Sequence, residues 1–583
     1  MNSVTLVEFI VAIATCMFLY STIRPRPGLP GLLVCSSAIY FAIVTIFGLF
    51  AAVFEVRLFP QTVLIGFLPI LVAAVLIVKY KGPAFSGICF ERMELAVAVI
   101  LFLSSFVIIL YPSLPRMFPA NVEVDAVSDY ILTQYWLDHG LPATHRASYF
   151  SELIGVGHHP FGFHLNTAIL ANVFGIDTIF LLQPFNSFLI ALAVLSVFGL
   201  SRELHLGGRT SCLVGAGMVL ASMYPLEAVA RGAYKAVMCT VLVMAFFWIL
   251  KDYATNSRRA TALLTLIQAA VVLTYPSWAI VTSLGALALA FRPKSVVQRM
   301  RLASILCIVF GGSAMASPEL IGMWRDISWI LFWGHSGATV PTLYSLGAIF
   351  FLASLGVLAI LKTNKNPIVL SFVVSATLAT LSWFGLMVYS GSGPYIFYKS
   401  FNLLVYPLGL VSAAGLEKLR SMIRPDLSLQ RHTLRLSIKQ LLSIGLVALL
   451  VIDFAGATYL GIGYYGDVRK IALNDEQYDV AVWVRENIAN QQVDIAAHNP
   501  LPYWFLAITR KPPMTVMKDY PCSPVIDFND WVSNARTGDV VVVYFTPYIP
   551  LDWRNALLMP QFTVLYQKGT NYVFLFERGN RSP

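Results

Sequence analysis

Apolar runs of about 20 residues, each long enough to cross a bilayer as a helix, recur along most of this chain. So many of them cannot be hidden in one water-solvated core, whereas lipid solvates them directly. The qualifying runs lie near 4–22, 31–53, 61–79, 94–112, 178–200, 211–225, 234–251, 261–275, 277–291, 302–317, 341–361, 368–389, 402–417 and 440–460, about fourteen in all. Composition agrees, with 57% hydrophobic and only 12% charged residues, where a soluble domain carries about 25% charged. The expected fold is a polytopic α-helical membrane protein. No basic stretch and no A-x-A site accompany "FIVAIATCMFLY", so the first run reads as a membrane helix rather than a cleaved leader.

The net charge of +10 is spread in short clusters between apolar runs, which is not the footprint of a nucleic-acid-binding domain. The clusters are Arg24/Arg26, Lys79/Lys81/Arg92, Arg202/Arg209, Lys251/Arg258/Arg259, Arg292/Lys294/Arg299/Arg301, Lys362/Lys365 and the run from Lys418 to Lys439. With these spans every cluster falls on one side, which the positive-inside rule makes cytoplasmic. The same bookkeeping makes 161–176 a helix lying along the interface rather than a crossing. The seven cysteines show no CxxC pair and no regular spacing, so no disulfide framework is indicated.

Two units follow. Residues 1–460 form the membrane unit, with an outer loop at 113–160. Residues 461–583 form an extracytoplasmic α/β domain. In that domain "NDEQYDVAVWVRENI" reads as a helix with Asn474 as N-cap and Val480, Val484 and Ile488 on one stripe. "VDIAAH", "PMTVMK" and "GDVVVVYF" read as strands, and "QFTVLYQ" and "NYVFLFER" as a hairpin joined at Lys568-Gly569-Thr570.

Candidate chemistry gathers at the outer boundary. In "NVEVDAVSDYILTQYWLDHG", Asp125 and Asp129 are four apart and share a helix face. One carboxylate there could take a proton from a hydroxyl, or the pair could hold a divalent cation, Mg or Mn. The plain alternative is a pair of solvated or capping acids. Six cations sit where the charge rule disfavours them: Arg116, Arg146, Arg231, Lys235, Arg325 and Lys399. Convergent cations at a membrane edge suit a lipid phosphate, and single ones also snorkel. Glu227 shares "EAVARGAYKAV" with Arg231 and Lys235, and Tyr398 precedes Lys399. "GVGHHPFGFHL" brings His158, His159 and His164 to the same boundary. Without HExxH or a Cys/Glu partner at zinc spacing, they suit positioning a phosphate or sugar, or a loop that only sets the angle of the next helix.

This layout resembles the GT-C superfamily of integral membrane glycosyltransferases. The likeness is carried by the acidic loop with Asp125, Asp129 and Tyr130 running into "WLDHGLP", by "HHPFGFHL", by "YKSFNLLVYPLGLVSAAGLEKL", and by a tail that opens with "YDVAVWVRENI". In many members the acidic loop follows the first membrane helix, whereas here four spans precede it. The resemblance implies a bacterial inner (plasma) membrane enzyme that moves a sugar from a polyprenyl-phosphate donor to a glycan, lipid or protein acceptor by inverting displacement. It implies Asp125 or Asp129 as general base. Lys399, Arg231, Lys235, His159 and Tyr398 would meet the donor phosphate, and His158, His164, Tyr130 and Glu227 would position substrate. Some members need a divalent metal and others do not. A lipid-linked glycan ligase or polymerase, and a flippase or transporter, are the competing readings.

Overall fold

The computed structural model describes residues 3–54, 56–81, 91–114, 116–119, 125–140, 161–252, 257–290, 307–315, 347–363, 367–390, 394–423, 455–456, 459, 473–488, 493–497, 501–509, 527–545 and 551–578. Its first part is helical throughout: α1 Ser3–Ser21, α2 Leu29–Phe54, α3 Pro60–Ile65, α4 Phe67–Lys81, α5 Arg92–Leu110, α6 Asp125–His139 and α7 Gly162–Phe174. There follow α8 Thr178–Glu203, α9 Arg209–Ala221, α10 Met223–Ala230, α11 Tyr234–Asp252, α12 Ser257–Thr274 and α13 Pro276–Ala290. The last helices of the bundle are α14 Gly347–Thr363, α15 Pro367–Ser390 and α16 Pro394–Ile423.

Among the described residues seven helical stretches are long and apolar enough to cross a membrane: Val4–Ser21, Leu29–Ala51, Arg92–Ser113, Thr178–Glu203, Arg209–Ala230, Tyr234–Asp252 and Pro367–Tyr389. Pro60–Leu76, Arg259–Thr274, Pro276–Leu287 and Ala348–Lys362 are shorter apolar helices at four more of the expected runs. The run at 402–417 lies within α16, which continues past it at both ends. Of the run at 302–317, residues 307–315 are described and are helical, while the run at 440–460 lies outside the described residues except for 455, 456 and 459. The stretch 209–230 is bent rather than straight, because Ser222 between α9 and α10 is extended at φ −64°, ψ 146°.

Burial sorts these helices into a centre and a rim. The most apolar windows of α2 and α8 are 83% buried and that of α11 is 89% buried, against 33% for α1 and 28% for the Arg92–Ser113 stretch. The rim helices turn Val7, Ile10, Ile100, Leu103 and Val107 outward. In lipid that surface costs nothing. Close packing at the centre is set by small residues: at Gly199 a Cβ would lie 2.6 Å from both Pro30 Cβ and Trp248 Cη2.

The short helix α7 departs from expectation. Gly162 through Ala171 are all buried, so it does not lie along an interface with one face in water. Its polar side chains turn into the bundle: Asn166 Nδ2 donates to the Gly162 carbonyl at 2.8 Å, and His164 faces α6. Gly162 permits this approach, since a Cβ there would collide with Thr274 Oγ1 and stand 3.1 Å from Thr45 Oγ1.

The C-terminal region contains α17 Asp475–Asn487, β1 Val493–Ala496, α18 Leu501–Thr509, α19 Phe528–Asn534, β2 Val540–Tyr544, β3 Phe562–Lys568 and β4 Asn571–Phe576. Asn474 caps α17 through a reciprocal pair with Gln477, and Val480, Val484 and Ile488 are buried as their spacing requires. The sheet order is β1-β2-β4-β3, with β1 parallel to β2 and the other pairs antiparallel. The β3–β4 hairpin turns at Gly569-Thr570, with Gly569 in the left-handed region at φ +57°. The expected strand "PMTVMK" lies outside the described residues.

This region rests on the helical part through aromatic and ionic contacts. Tyr478 on α17 packs between Phe118 and Phe180, with ring centroids 5.2 and 5.3 Å away. Arg116 pairs with Asp479 at 2.9 Å and Asp475 at 3.4 Å, so one of the misplaced cations is committed to holding the C-terminal region. Trp504 on α18 meets Tyr130 on α6 at 5.9 Å.

At the far end of α11 a second polar cluster ties helices together. Glu203 accepts from Arg24 at 2.6 Å, from Trp248 Nε1 at 3.1 Å and from Lys251, while Asp252 lies 3.2 Å from Arg24. Their side chains are 13–28% exposed. Glu203→Ala leaves Arg24 and Lys251 to share Asp252 alone and takes the acceptor from the Trp248 indole N–H, and should cost about 2 kcal/mol. A lowered Tm of the purified protein checks this.

Asp494 on β1 supplies a pH-dependent test. Burial pushes its carboxyl above the ordinary 3.8, and the nearby Asp539 adds to this, against the lowering effect of the Trp531 N–H it accepts. A carboxyl raised in the folded state contributes stability at low pH and loses it as pH rises through the folded value. Asp494→Asn keeps an acceptor for Trp531 and should therefore stabilise the protein at pH 7 by about 1 kcal/mol. The gain in Tm should vanish toward pH 4.

Candidate functional site

The helix predicted from the acidic loop forms, and its second aspartate is the residue the fold encloses. Asp129 has no exposed surface, and its Oδ1 receives both His164 Nε2 at 2.7 Å and Lys235 Nζ at 3.2 Å. Three elements supply the three groups: α6, the first turn of α7, and the first turn of α11. His164 is also wholly buried, while the Lys235 side chain keeps 18% of its surface exposed, so the cluster opens only on the lysine side.

The charges explain the burial. Enclosure alone would raise the Asp129 carboxyl, but Lys235 and His164 outweigh it and hold the group below its ordinary value. The carboxylate is thus ionised at neutral pH, and His164 Nε2 carries the proton between them. Trp136 stands edge-on to His164, 5.3 Å away at 89°, and fixes the imidazole plane. Phe163 packs on Tyr234 at 5.8 Å. Asp129 Oδ2, Trp136 Nε1 and the Tyr234 hydroxyl are buried with no hydrogen-bond partner among the described residues. The carboxylate thus keeps one unpaired oxygen, with the Tyr234 hydroxyl close enough to feel its charge.

A second group lies where α10 gives way to α11. Arg231 Nε donates to Glu227 Oε1 at 3.0 Å, with both side chains under 10% exposed. Gly232, at φ +69°, turns the chain from Arg231 toward Tyr234 and Lys235. Lys399 is buried on α16, which packs on α10 where Phe401 stacks on Tyr224 at 5.6 Å and 20°.

Several expected residues fall elsewhere. Tyr130 turns away from Asp129, toward Trp504 of the C-terminal region. Asp125 and Tyr398 are on α6 and α16, but their side chains lie outside what is described, as do His158, His159, Arg146 and Arg325 altogether. Trp136 and Tyr234 are not among the expected site residues, although each lies within a motif already singled out. Their buried polar atoms become visible only once the helices are packed.

A divalent cation is a poor match for Asp129 as placed. Its Oδ1 already carries an ammonium, and no group of three His, Cys, Asp or Glu among the described residues is arranged to hold a metal ion.

No family model matches the sequence, and no curated protein does. Among solved structures the chain is similar to arabinofuranosyltransferase AftD from Mycobacteria, at 14% identity and a TM-score of 0.47. That match covers 85% of this chain but 42% of AftD, so this chain spans less than half of that protein. It is also similar to ArnT from Cupriavidus metallidurans, at 14% identity and a TM-score of 0.43, covering 82% of this chain and 97% of that one. Likeness of this size concerns layout, and what the site does has to be read from the site.

Asp129→Ala leaves the Lys235 ammonium and the His164 Nε2–H without their shared acceptor in a buried space, which should cost about 3 kcal/mol or more. Because the carboxyl is depressed in the folded state, its contribution is complete above 3.8 and is lost only as pH falls toward the depressed value. The Tm deficit of the variant should therefore be equal at pH 7 and pH 5.

Proposed function

We propose that this chain is a membrane glycosyltransferase of the GT-C kind. It moves a sugar from a polyprenyl-phosphate donor to a cell-envelope glycan, lipid or protein on the outer face of the membrane. The observation that carries this reading is the enclosed Asp129 carboxylate held by His164 and Lys235 at a helix-bundle end, because ionised groups kept beside a membrane are expensive and usually serve chemistry. Outer sidedness rests on the loop charges, which place the basic clusters on the opposite face.

In this reading Asp129 takes the acceptor's hydroxyl proton while the acceptor oxygen bonds to the anomeric carbon. The bond from that carbon to the phosphate oxygen breaks in the same displacement and the configuration inverts. Its electron pair leaves on the phosphate, where Lys235, Arg231 and Lys399 would balance the added charge. Glu227 holds Arg231 in place, and His164 orients the carboxylate. Asp125, one turn ahead on α6, is the alternative base. No step is assigned to a metal.

The test is mass spectrometry of lipids that co-purify with wild type and with Lys399→Ala. A polyprenyl-phosphate monosaccharide enriched in wild type, and lost about tenfold in the variant, is the expected result. Asp129→Asn should retain that lipid yet lower transfer by at least about 100-fold. A diphosphate-linked oligosaccharide would favour the ligase or flippase reading, and bulk phospholipid alone in both samples would overturn the proposal.

A further inference from the structure

The cluster has an internal contradiction when taken as a resting catalyst. A general base must be available to a hydroxyl and basic enough to take its proton. Asp129 fails the second requirement at rest, because Lys235 at 3.2 Å and His164 at 2.7 Å both hold Oδ1 and keep the enclosed carboxylate weakly basic, although its buried Oδ2 has no partner among the described residues. Of the three groups only Lys235 has exposed surface, so an anion arriving at the cluster meets the ammonium first.

We propose that Lys235 is a donor-sensing latch: it holds the Asp129 carboxylate until an anionic carrier phosphate draws the ammonium away, and only then is the carboxylate released to the acceptor hydroxyl. This rests on the glycosyltransferase reading and adds an order to it, with donor first and base second. The two partners compete for one cation. A phosphate oxygen outside the enclosed space is easily reached by a lysine, whose long stem lets the head swing while the backbone of α11 stays fixed. The stem is anchored where α11 begins, one residue after Tyr234, whose ring packs on Phe163. Losing Lys235 leaves Asp129 with His164 alone, and its buried Oδ2 lies ready to accept. The latch keeps the base weak until a sugar is present to receive the acceptor, so the released carboxylate does not serve water in an empty site.

Among the described residues, the titratable groups set around Asp129 are His164 on α7 and Tyr234 and Lys235 on α11. The other helices packed on α6 present Thr178 of α8, at 3.2 Å from Gln134, and Trp504 of α18. Lys235 is therefore the cation whose movement the carboxylate would feel.

The experiment is an infrared titration of the Asp129 carboxylate in the full-length purified protein, assigned by its absence in Asp129→Asn. It is run without ligand and with decaprenyl phosphate, a sugar-free carrier, as probe. The latch predicts a rise in the Asp129 pKa of about one pH unit or more when the probe binds. Lys235→Met should show the raised value without probe and no further rise with it, whereas Lys235→Arg should still respond. Probe that stabilises the protein against heat yet leaves the Asp129 titration unmoved would overturn the latch and leave the glycosyltransferase reading standing. Probe that does not bind at all would overturn that reading, and the latch with it.

Discussion

The Asp129 carboxylate has no contact with solvent, and an ion in that position survives only if its counter-charges come with it. His164 and Lys235 come from segments 35 and 106 residues further along the chain, so keeping Asp129 charged fixes how α6, α7 and α11 meet. Much of the local structure serves that meeting. Gly162 lets α7 approach between Thr45 and Thr274, Gly232 turns the chain so that Lys235 opens α11, and Trp136 braces the imidazole.

The same helix that opens with Lys235 closes with the Glu203–Arg24–Lys251–Asp252 cluster. At 1.5 Å per residue the two lysines of α11 stand about 24 Å apart along its axis, close to the thickness of a bilayer's hydrocarbon core. Between them α11 is buried and apolar, from Ala236 to Leu250. The molecule thus carries charge at both ends of its central helix and none in the middle. The two ends differ in kind. The far cluster satisfies its groups with one another, while the near one leaves Asp129 Oδ2, Trp136 Nε1 and the Tyr234 hydroxyl with no partner among the described residues.

Legibility followed range. Hydropathy is a local quantity, so most expected runs coincide with helices, and the Asn474 cap and the Gly569 turn are equally local signals. The D-x-x-x-D spacing located α6 but could not say which aspartate the bundle would enclose, because that depends on which face meets α7 and α11. His164 read as an interfacial histidine since α7 is short and mixed in polarity. Only tertiary packing shows that its polar side chains point inward. Arg116 read as a cation suited to lipid phosphate, yet it pairs with Asp475 and Asp479, far away in sequence. Tyr130 adjoins Asp129 in the chain, but a helix turns consecutive side chains about 100° apart, and Tyr130 meets Trp504 instead.

All of this gains its meaning from sidedness, since a carrier-linked sugar and its acceptor must meet the cluster on the outer face. The most direct measurement is labelling of single cysteines with a membrane-impermeant thiol reagent in intact cells. One cysteine replaces the exposed Asp138 near the end of α6, and the other replaces the exposed Arg420 near the end of α16. The account predicts that Asp138→Cys is labelled in intact cells and Arg420→Cys only after permeabilisation. The reverse pattern would place Asp129, His164 and Lys235 in the cytoplasm and contradict the account.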